Sequence, residues 1–298
     1  MCRFVLYLGP RTRLSSLIVD PNHSLIRQSV HSAEREEPLN GDGFGIGWYA
    51  NELAPEPAVF RSITPAWNNR NLQNLARVVA SDCVLAHVRA ATQSSGVNEA
   101  NCHPFRWRRY LCMHNGDIGD FREVRRKLLA SVGDEAFGNV YGSTDSEHFF
   151  ALFIDCWLAS TEQDPALRMA RALAQAIDRV LELVRSVGKG SASYLNVAIA
   201  DGDHAVVSRF TDEPGGKPES LYYFSGNLYP DLPDPSRPGP PVRHEVTVSS
   251  ERLTSDPGWA EVPAGQIIIL RRDRDPEFIA ATARRSPARF DSALRAAP

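Results

Sequence analysis

A cysteine stands second in the chain, in "MCRF", directly behind methionine. A thiol placed there has access to an unusual base. Removal of one residue leaves the α-amine of Cys2 beside its own thiol, and an α-amine with a pKa of about 8 is partly unprotonated at neutral pH. That amine can take the thiol proton directly or through one water, with no histidine. The thiolate then attacks a carbonyl carbon, and the charge that builds on the carbonyl oxygen needs donors. Asn115 and Gly116, in "MHNGD", offer a side-chain amide and a backbone N–H that one pocket can share. Arg89 and Thr92, in "LAHVRAAT", offer a guanidinium fork and a hydroxyl suited to a carboxylate. Asp145, in "GSTDSE", offers a carboxylate to an ammonium. The set therefore holds one group for each part of a γ-glutamyl amide: Cys2 for the carbonyl carbon, Asn115 and Gly116 for its oxygen, Arg89 for the α-carboxylate and Asp145 for the α-ammonium.

Each residue taken alone has an ordinary explanation. Cysteine is most often a small buried hydrophobe, Asn-Gly is a common turn, an arginine ending an apolar strand suits a structural ion pair, and acids favour helix N-termini. Two further patterns carry less. Cys83, His87, Cys102, His103, Cys112 and His114 crowd one interval, but no pair has C-x₂₋₄-C spacing, so a metal site is not expected. "GDGFGIG" puts glycine at every second position rather than as G-x-G-x-x-G, which suits close packing on one strand face better than a phosphate loop.

The elements that must position these groups come in blocks. "RFVLYLG" reads as a strand closed by Gly9-Pro10, followed by strands at "GFGIGWY", "AVFRSI" and "DCVLAHVRAAT". "RRYLCMHNGDI" reads as a strand running into a turn at Asn115-Gly116. Helices follow: "DFREVRRKLLASV", a second opened by the capping-box pattern Thr144-Asp145-Ser146-Glu147, and a long amphipathic one from Asp164 that stops at Gly188. Strands return in "SYLNVAIADG", "HAVVSRF", "SLYYFS", "VRHEVTVSS" and "AGQIIILRR". Strands, then helices, then strands suit two face-to-face sheets with helices outside. The proline-rich "YPDLPDPSRPGPP" reads as an exposed semi-rigid loop, and the arginine-rich stretch from residue 271 as a polar tail.

"MCRF", "NGDGFGIGWY", "ITPAWNNRNL", "LAHVRAAT", "NCHPF", "MHNGDI" and "GSTDSE", in that order, resemble the class II glutamine amidotransferases, which are N-terminal-nucleophile hydrolases. Within that family, "RLSSLIVDPNHSLIRQS", "SITPAWNNRNL" and "VSSERL…GWAEVPAG" resemble the standalone amidotransferase-like subunit of a fungal glutathione-degrading complex, and related bacterial γ-glutamyl hydrolases are similar in standing alone with the same site logic. The resemblance implies an α+β, four-layer αββα sandwich, with one glutamine amidotransferase domain over residues 1–270 and a tail over 271–298. It implies Cys2 as nucleophile, Asn115 and Gly116 as the oxyanion pair, and Arg89, Thr92 and Asp145 as holders of the glutamyl ends. His103, in "HPF", falls where the family keeps a histidine near the substrate. The reaction so implied is hydrolysis of a γ-glutamyl amide through a cysteinyl thioester, with a subunit that only binds such a ligand and scaffolds an enzyme as the alternative. No cofactor is implied. A metallopeptidase-like or ammonia-accepting partner protein is, because no synthetase domain follows the glutaminase motifs.

Bulk properties narrow the field. The 298 residues carry a net charge of −3 and are 43% hydrophobic, which is ordinary for a globular protein and gives no reason to expect nucleic acid. No apolar run is long enough for a membrane span or a signal sequence. Five cysteines in such a chain suit a reducing compartment, so a cytoplasmic protein is expected.

Overall fold

The computed structural model describes residues 2–34, 39–90, 96–228 and 244–282. Thirteen strands form two antiparallel sheets among these residues. The first sheet is built from β1 (Arg3–Arg13), β2 (Phe44–Trp48), β3 (Ala58–Ser62), β4 (Ala80–Val88), β9 (Tyr222–Ser225), β10 (Val246–Ser249) and β11 (Ala260–Glu261), in the order β11-β9-β10-β1-β4-β2-β3. The second is built from β5 (Phe105–Trp107), β6 (Tyr110–Asp117), β7 (Tyr194–Ala200), β8 (His204–Arg209), β12 (Gln266–Arg271) and β13 (Glu277–Ala280), in the order β13-β12-β8-β7-β6-β5.

Period-two alternation explains how the sheets stack. Phe4, Leu6 and Leu8 of β1 and Leu111 and Met113 of β6 fill the layer between the sheets. Val5 and Tyr7 of β1 point the other way, onto α1 (Ser15–Ile18), α2 (Leu25–Gln28) and α3 (Arg70–Val78). Leu195, Val197 and Ile199 of β7 turn outward onto α4 (Phe121–Ala130), α5 (Asp134–Phe137), α6 (Asp145–Ala159) and α7 (Pro165–Arg185). Strands with both faces covered are apolar throughout, hence the unbroken "FVLYL" and "VLA" runs. The result is the four-layer αββα sandwich.

Four details differ from the sequence reading. β1 does not stop at Gly9-Pro10 but continues to Arg13 through a register shift between Leu8 and Thr12, where a proline need not donate to a ladder. Asn115-Gly116 is not a turn: β6 runs through both, pairing Asn115 with Asn196 and Gly116 with Leu195. Residue 271 does not begin a polar tail, because Arg271 closes β12 and 277–280 adds an edge strand beyond it. The short helices α1–α3, unread in the sequence, form the outer layer over the first sheet. The proline-rich loop from residue 229 to 241 and the tail beyond residue 282 lie outside the described residues.

The alternating glycines of β2 serve close packing. A Cβ at Gly45 would sit 2.0 Å from the His103 carbonyl oxygen, and one at Gly47 would sit 2.5 Å from Leu111 Cδ1. β2 can therefore press the segment carrying His103 against the sheet that carries Cys2.

Candidate active site

β1 and β4 are antiparallel, with Arg3 opposite Val88. Extending that register by one residue sets Cys2 opposite Arg89, at the open end of both strands. Cys2 is partly exposed, and its thiol points to the Ala90 carbonyl at 3.6 Å. Burial pushes the thiol pKa above its ordinary value, and the Arg89 and Arg3 guanidiniums oppose that shift without reversing it. The thiol is thus protonated at neutral pH, and a nucleophile here requires a base.

Arg89 is buried just beyond β4. Its backbone N–H donates to Gly43 O at 2.9 Å, and its guanidinium reaches the Asp42 and Gly96 carbonyls at 3.5 Å. By alternation along β4, Arg89 lies on the face that Cys83 and Leu85 turn into the layer between the sheets. Thr92 lies outside the described residues.

Across that layer, β6 delivers Asn115 and Gly116. Asn115 is buried, and its Oδ1 has no partner among the described residues. Gly116 has φ +142°, and a Cβ there would lie 1.9 Å from the Tyr194 carbonyl oxygen, so only glycine lets β7 come this close. The next residue, Asp117, faces Asp145; burial and then that neighbour raise its carboxyl pKa.

Asp145 is the first residue of α6. Thr144 caps the helix by accepting from the Glu147 N–H at 3.2 Å. Glu147 does not complete the reciprocal box. Its carboxylate instead binds the Tyr141 and Gly142 amides at 2.9 and 2.6 Å and ties down the incoming loop. Asp145 Oδ2 accepts from the Ile118 N–H and Oδ1 from the Ser146 N–H, both at 2.9 Å. Asp145 also lines an open cleft of about 550 Å³ with Asp117, Ile118, Arg122 and Arg125.

His103 is buried, 4.1 Å from the His87 ring and 4.5 Å from Phe105 between centroids, with neither ring nitrogen partnered among the described residues. Burial, together with His87, His114 and Arg89, holds its pKa well below the ordinary value, and burial lowers that of His87 to about 3. Both rings are neutral at pH 7. The structure thus sets Cys2 beside Arg89 on one sheet and Asn115 beside Gly116 on the other, with His87 of β4 meeting the His114 carbonyl of β6, whereas the residues lining the cleft at Asp145 include none of Cys2, Arg89, Asn115 and His103.

Sequence reasoning missed the buried network behind Cys2. Arg3 donates to the Cys2 carbonyl at 2.9 Å, to Glu251 at 2.7 Å and to Ser32 at 2.8 Å. Glu251 also accepts from Ser32 Oγ and the Ala33 N–H and meets His23 Nε2 at 2.6 Å. The only signal was "VSSERL", noted for its likeness and not its chemistry. Burial alone would raise the Glu251 pKa, but the hydrogen bonds from His23, Ser32, Ala33 and Arg3 outweigh it and bring it down to about 2. The folded-state value lies below the ordinary 4.5, so the stabilisation is full above pH 4.5 and is lost as pH falls towards 2. The difference is worth about 3 kcal/mol. Urea titrations should therefore show stability falling between pH 4.5 and 2, and E251Q should flatten that limb and lower stability at pH 7 by about 3 kcal/mol. An unchanged acid limb in E251Q would refute this role.

The family of class II glutamine amidotransferases matches residues 23–215. The chain belongs to the class II glutamine amidotransferases. It is 38% identical over 295 residues to the probable glutamine amidotransferase DUG3 of Saccharomyces cerevisiae, covering 91% of this chain and 82% of the yeast protein. It is 33% identical over 270 residues to the γ-glutamyl-hercynylcysteine sulfoxide hydrolase of Mycobacterium tuberculosis, covering 90% and 92% of the two chains. Among solved structures, a glutamine aminotransferase class-II domain protein from Silicibacter pomeroyi superposes with a TM-score of 0.65 at 27% identity, covering 94% of this amidotransferase and 99% of that chain. The glutamine PRPP amidotransferase of B. subtilis shares the fold, with a TM-score of 0.57 at 14% identity over 95% of this chain and 50% of its own. The protein is thus an enzyme of the class II glutamine amidotransferase family. No helix among the described residues is long and apolar enough to cross a membrane.

Proposed function

We propose that this amidotransferase hydrolyses the γ-amide bond of glutamine or of a γ-glutamyl peptide such as glutathione, through a thioester on Cys2. The observation that carries the reading is the β1/β4 register, which sets the Cys2 thiol across from the buried Arg89 at the strand ends. Removal of Met1 supplies the missing base. The freed α-amine takes the thiol proton as sulfur attacks the γ-carbonyl carbon. The oxygen gains charge and is held by the Asn115 amide and the Gly116 N–H. As the C–N bond breaks, the α-ammonium returns the proton to the departing amine, which leaves as ammonia or as the amine of a peptide. Water, deprotonated by the same amine, then attacks the thioester and releases glutamate and the thiol. The substrate α-carboxylate lies on Arg89, with Thr92 in support, and the α-ammonium on Asp145. His103, neutral and buried, shapes the wall and moves no proton.

The relatives' names support a γ-glutamyl substrate, since one is a γ-glutamyl-hercynylcysteine sulfoxide hydrolase and another a probable glutamine amidotransferase. A cytoplasmic site of action, and a partner that accepts ammonia or processes the released peptide, belong to the same reading. The test is a glutamate-release screen over glutamine, glutathione and other γ-glutamyl amides, with and without candidate metallopeptidase-like partners. Failure to release glutamate from every one of them would overturn it.

The two glutamyl anchors can be tested separately. R89K keeps the charge but loses the fork, and D145N loses the charge that pairs with ammonium. Each should raise KM for glutamine by about 10- to 100-fold, with a smaller loss in kcat. Unchanged steady-state constants in both variants would mean that the glutamyl ends are not read.

A further inference from the structure

We infer that His114 and Ser146 are positioning residues that keep the Asp145 carboxylate open for a cation. This rests on the assignment of Asp145 to the substrate ammonium. His114 stands on β6 immediately before Asn115, with Nε2 2.9 Å from the Tyr194 carbonyl oxygen and Nδ1 2.9 Å from Ser146 Oγ. A carbonyl oxygen only accepts, so Nε2 carries the proton. In a neutral ring Nδ1 is then an acceptor, and the Ser146 hydroxyl donates to it.

A hydroxyl has one proton. Ser146 Oγ is also 3.4 Å from Asp145 Oδ1, and once its proton is committed to His114 it cannot bond that oxygen. Asp145 thus keeps one backbone donor on each carboxylate oxygen, from Ser146 and Ile118, and has lone pairs left over. Without the acceptor at His114, the serine proton would turn to Oδ1 and occupy the place of a substrate N–H.

The neighbours of His114 hold it in this role. His87 Nε2 meets the His114 carbonyl at 3.3 Å, and the Phe149 ring lies 6.3 Å from the His114 ring. Gly116 matters a second time, because a Cβ there would lie 3.0 Å from His114 Nε2 as well as against the Tyr194 carbonyl that fixes the tautomer.

The experiment compares glutamine with 4-carbamoylbutanoate, which keeps the amide and the carboxylate and lacks the ammonium. Equal KM values for the two in the unsubstituted enzyme would overturn the Asp145 assignment itself. Where they differ, H114F should raise KM for glutamine about tenfold and leave that for the analogue within about twofold. Adding S146A to H114F removes the misdirected proton and should bring KM for glutamine back to within about threefold. H114Q, whose carbonyl can accept the serine proton, should stay near the unsubstituted value. A similar rise for both substrates, or no recovery in the double variant, refutes the inference. If H114F does not fold, S146A decides: a KM for glutamine near the unsubstituted value supports the arrangement, and a rise of about tenfold overturns it, because the hydroxyl would then be supporting Asp145 directly.

Discussion

Replacing Cys2 with alanine is expected to lower glutamate release by about 10⁴-fold or more, with the melting temperature nearly unchanged. Stability should survive because Cys2 is partly exposed, its thiol makes only a weak S–H contact at 3.6 Å to Ala90 among the described residues, and the Arg3 bond to its carbonyl does not depend on the side chain. Activity should not, because the thioester has no other sulfur to form on. The four remaining cysteines are buried in the described structure, and burial raises the pKa of each. A second variant separates the sulfur from the nitrogen. Extending the chain before Cys2 so that methionine removal cannot expose it keeps the thiol but converts the base into an amide. That variant should be as inactive as C2A while remaining folded. Diazo-oxo-norleucine should label Cys2 in the processed enzyme, as seen by mass spectrometry, and in neither variant. Full activity in the extended form would rule out the amine as base.

How much of this was readable in the sequence follows from which interactions are local. β1 and β4 were visible as apolar runs because both of their faces are covered, and α6 and α7 because a stripe or a cap marks them. The helices α1, α2 and α3 were not read: two are single turns of four residues, and α3 carries "RNLQNLARV", in which polar residues outnumber the few that reach the core. Their stability comes from lying on the first sheet, which no local pattern encodes. Cys2, Asn115, Gly116, Arg89 and Asp145, the residues proposed to act on substrate, stood out only as a set, with one group for each part of a γ-glutamyl amide, because each alone has an ordinary explanation. The supporting residues did not. Ser146 looks like part of a capping box, His114 like one alternating residue in a strand, and Glu251 like a polar residue after a serine pair. Their roles arise from pairings over 32, 80 and 248 positions. The turn assigned to Asn115-Gly116 failed for a related reason. The left-handed backbone is real, but it serves contact with a strand 78 residues later rather than a reversal of the chain.

That glycine carries the largest effect expected away from the sulfur. In G116A the new Cβ would need a backbone that L-residues avoid at φ +142°, and it would meet Tyr194 O at 1.9 Å and Tyr194 C at 2.6 Å. Neither atom belongs to a flexible side-chain end, so β6 and β7 must separate. The cost in stability is about 3 kcal/mol, from strain and lost packing together. The loss in rate should be larger. The Gly116 N–H is aimed by the same backbone, and the misplacement of one oxyanion donor costs about 10²- to 10³-fold in kcat. The ladder that moves also carries Tyr194 O, so the His114 tautomer loses its anchor and KM for glutamine should rise alongside. Calorimetry and steady-state kinetics on the same preparation can separate the two effects, because strain alone lowers the melting temperature without altering kcat of the folded fraction. A G116A enzyme with normal kcat would mean that the Gly116 N–H does not hold the oxyanion, and that role would fall to the Asn115 amide.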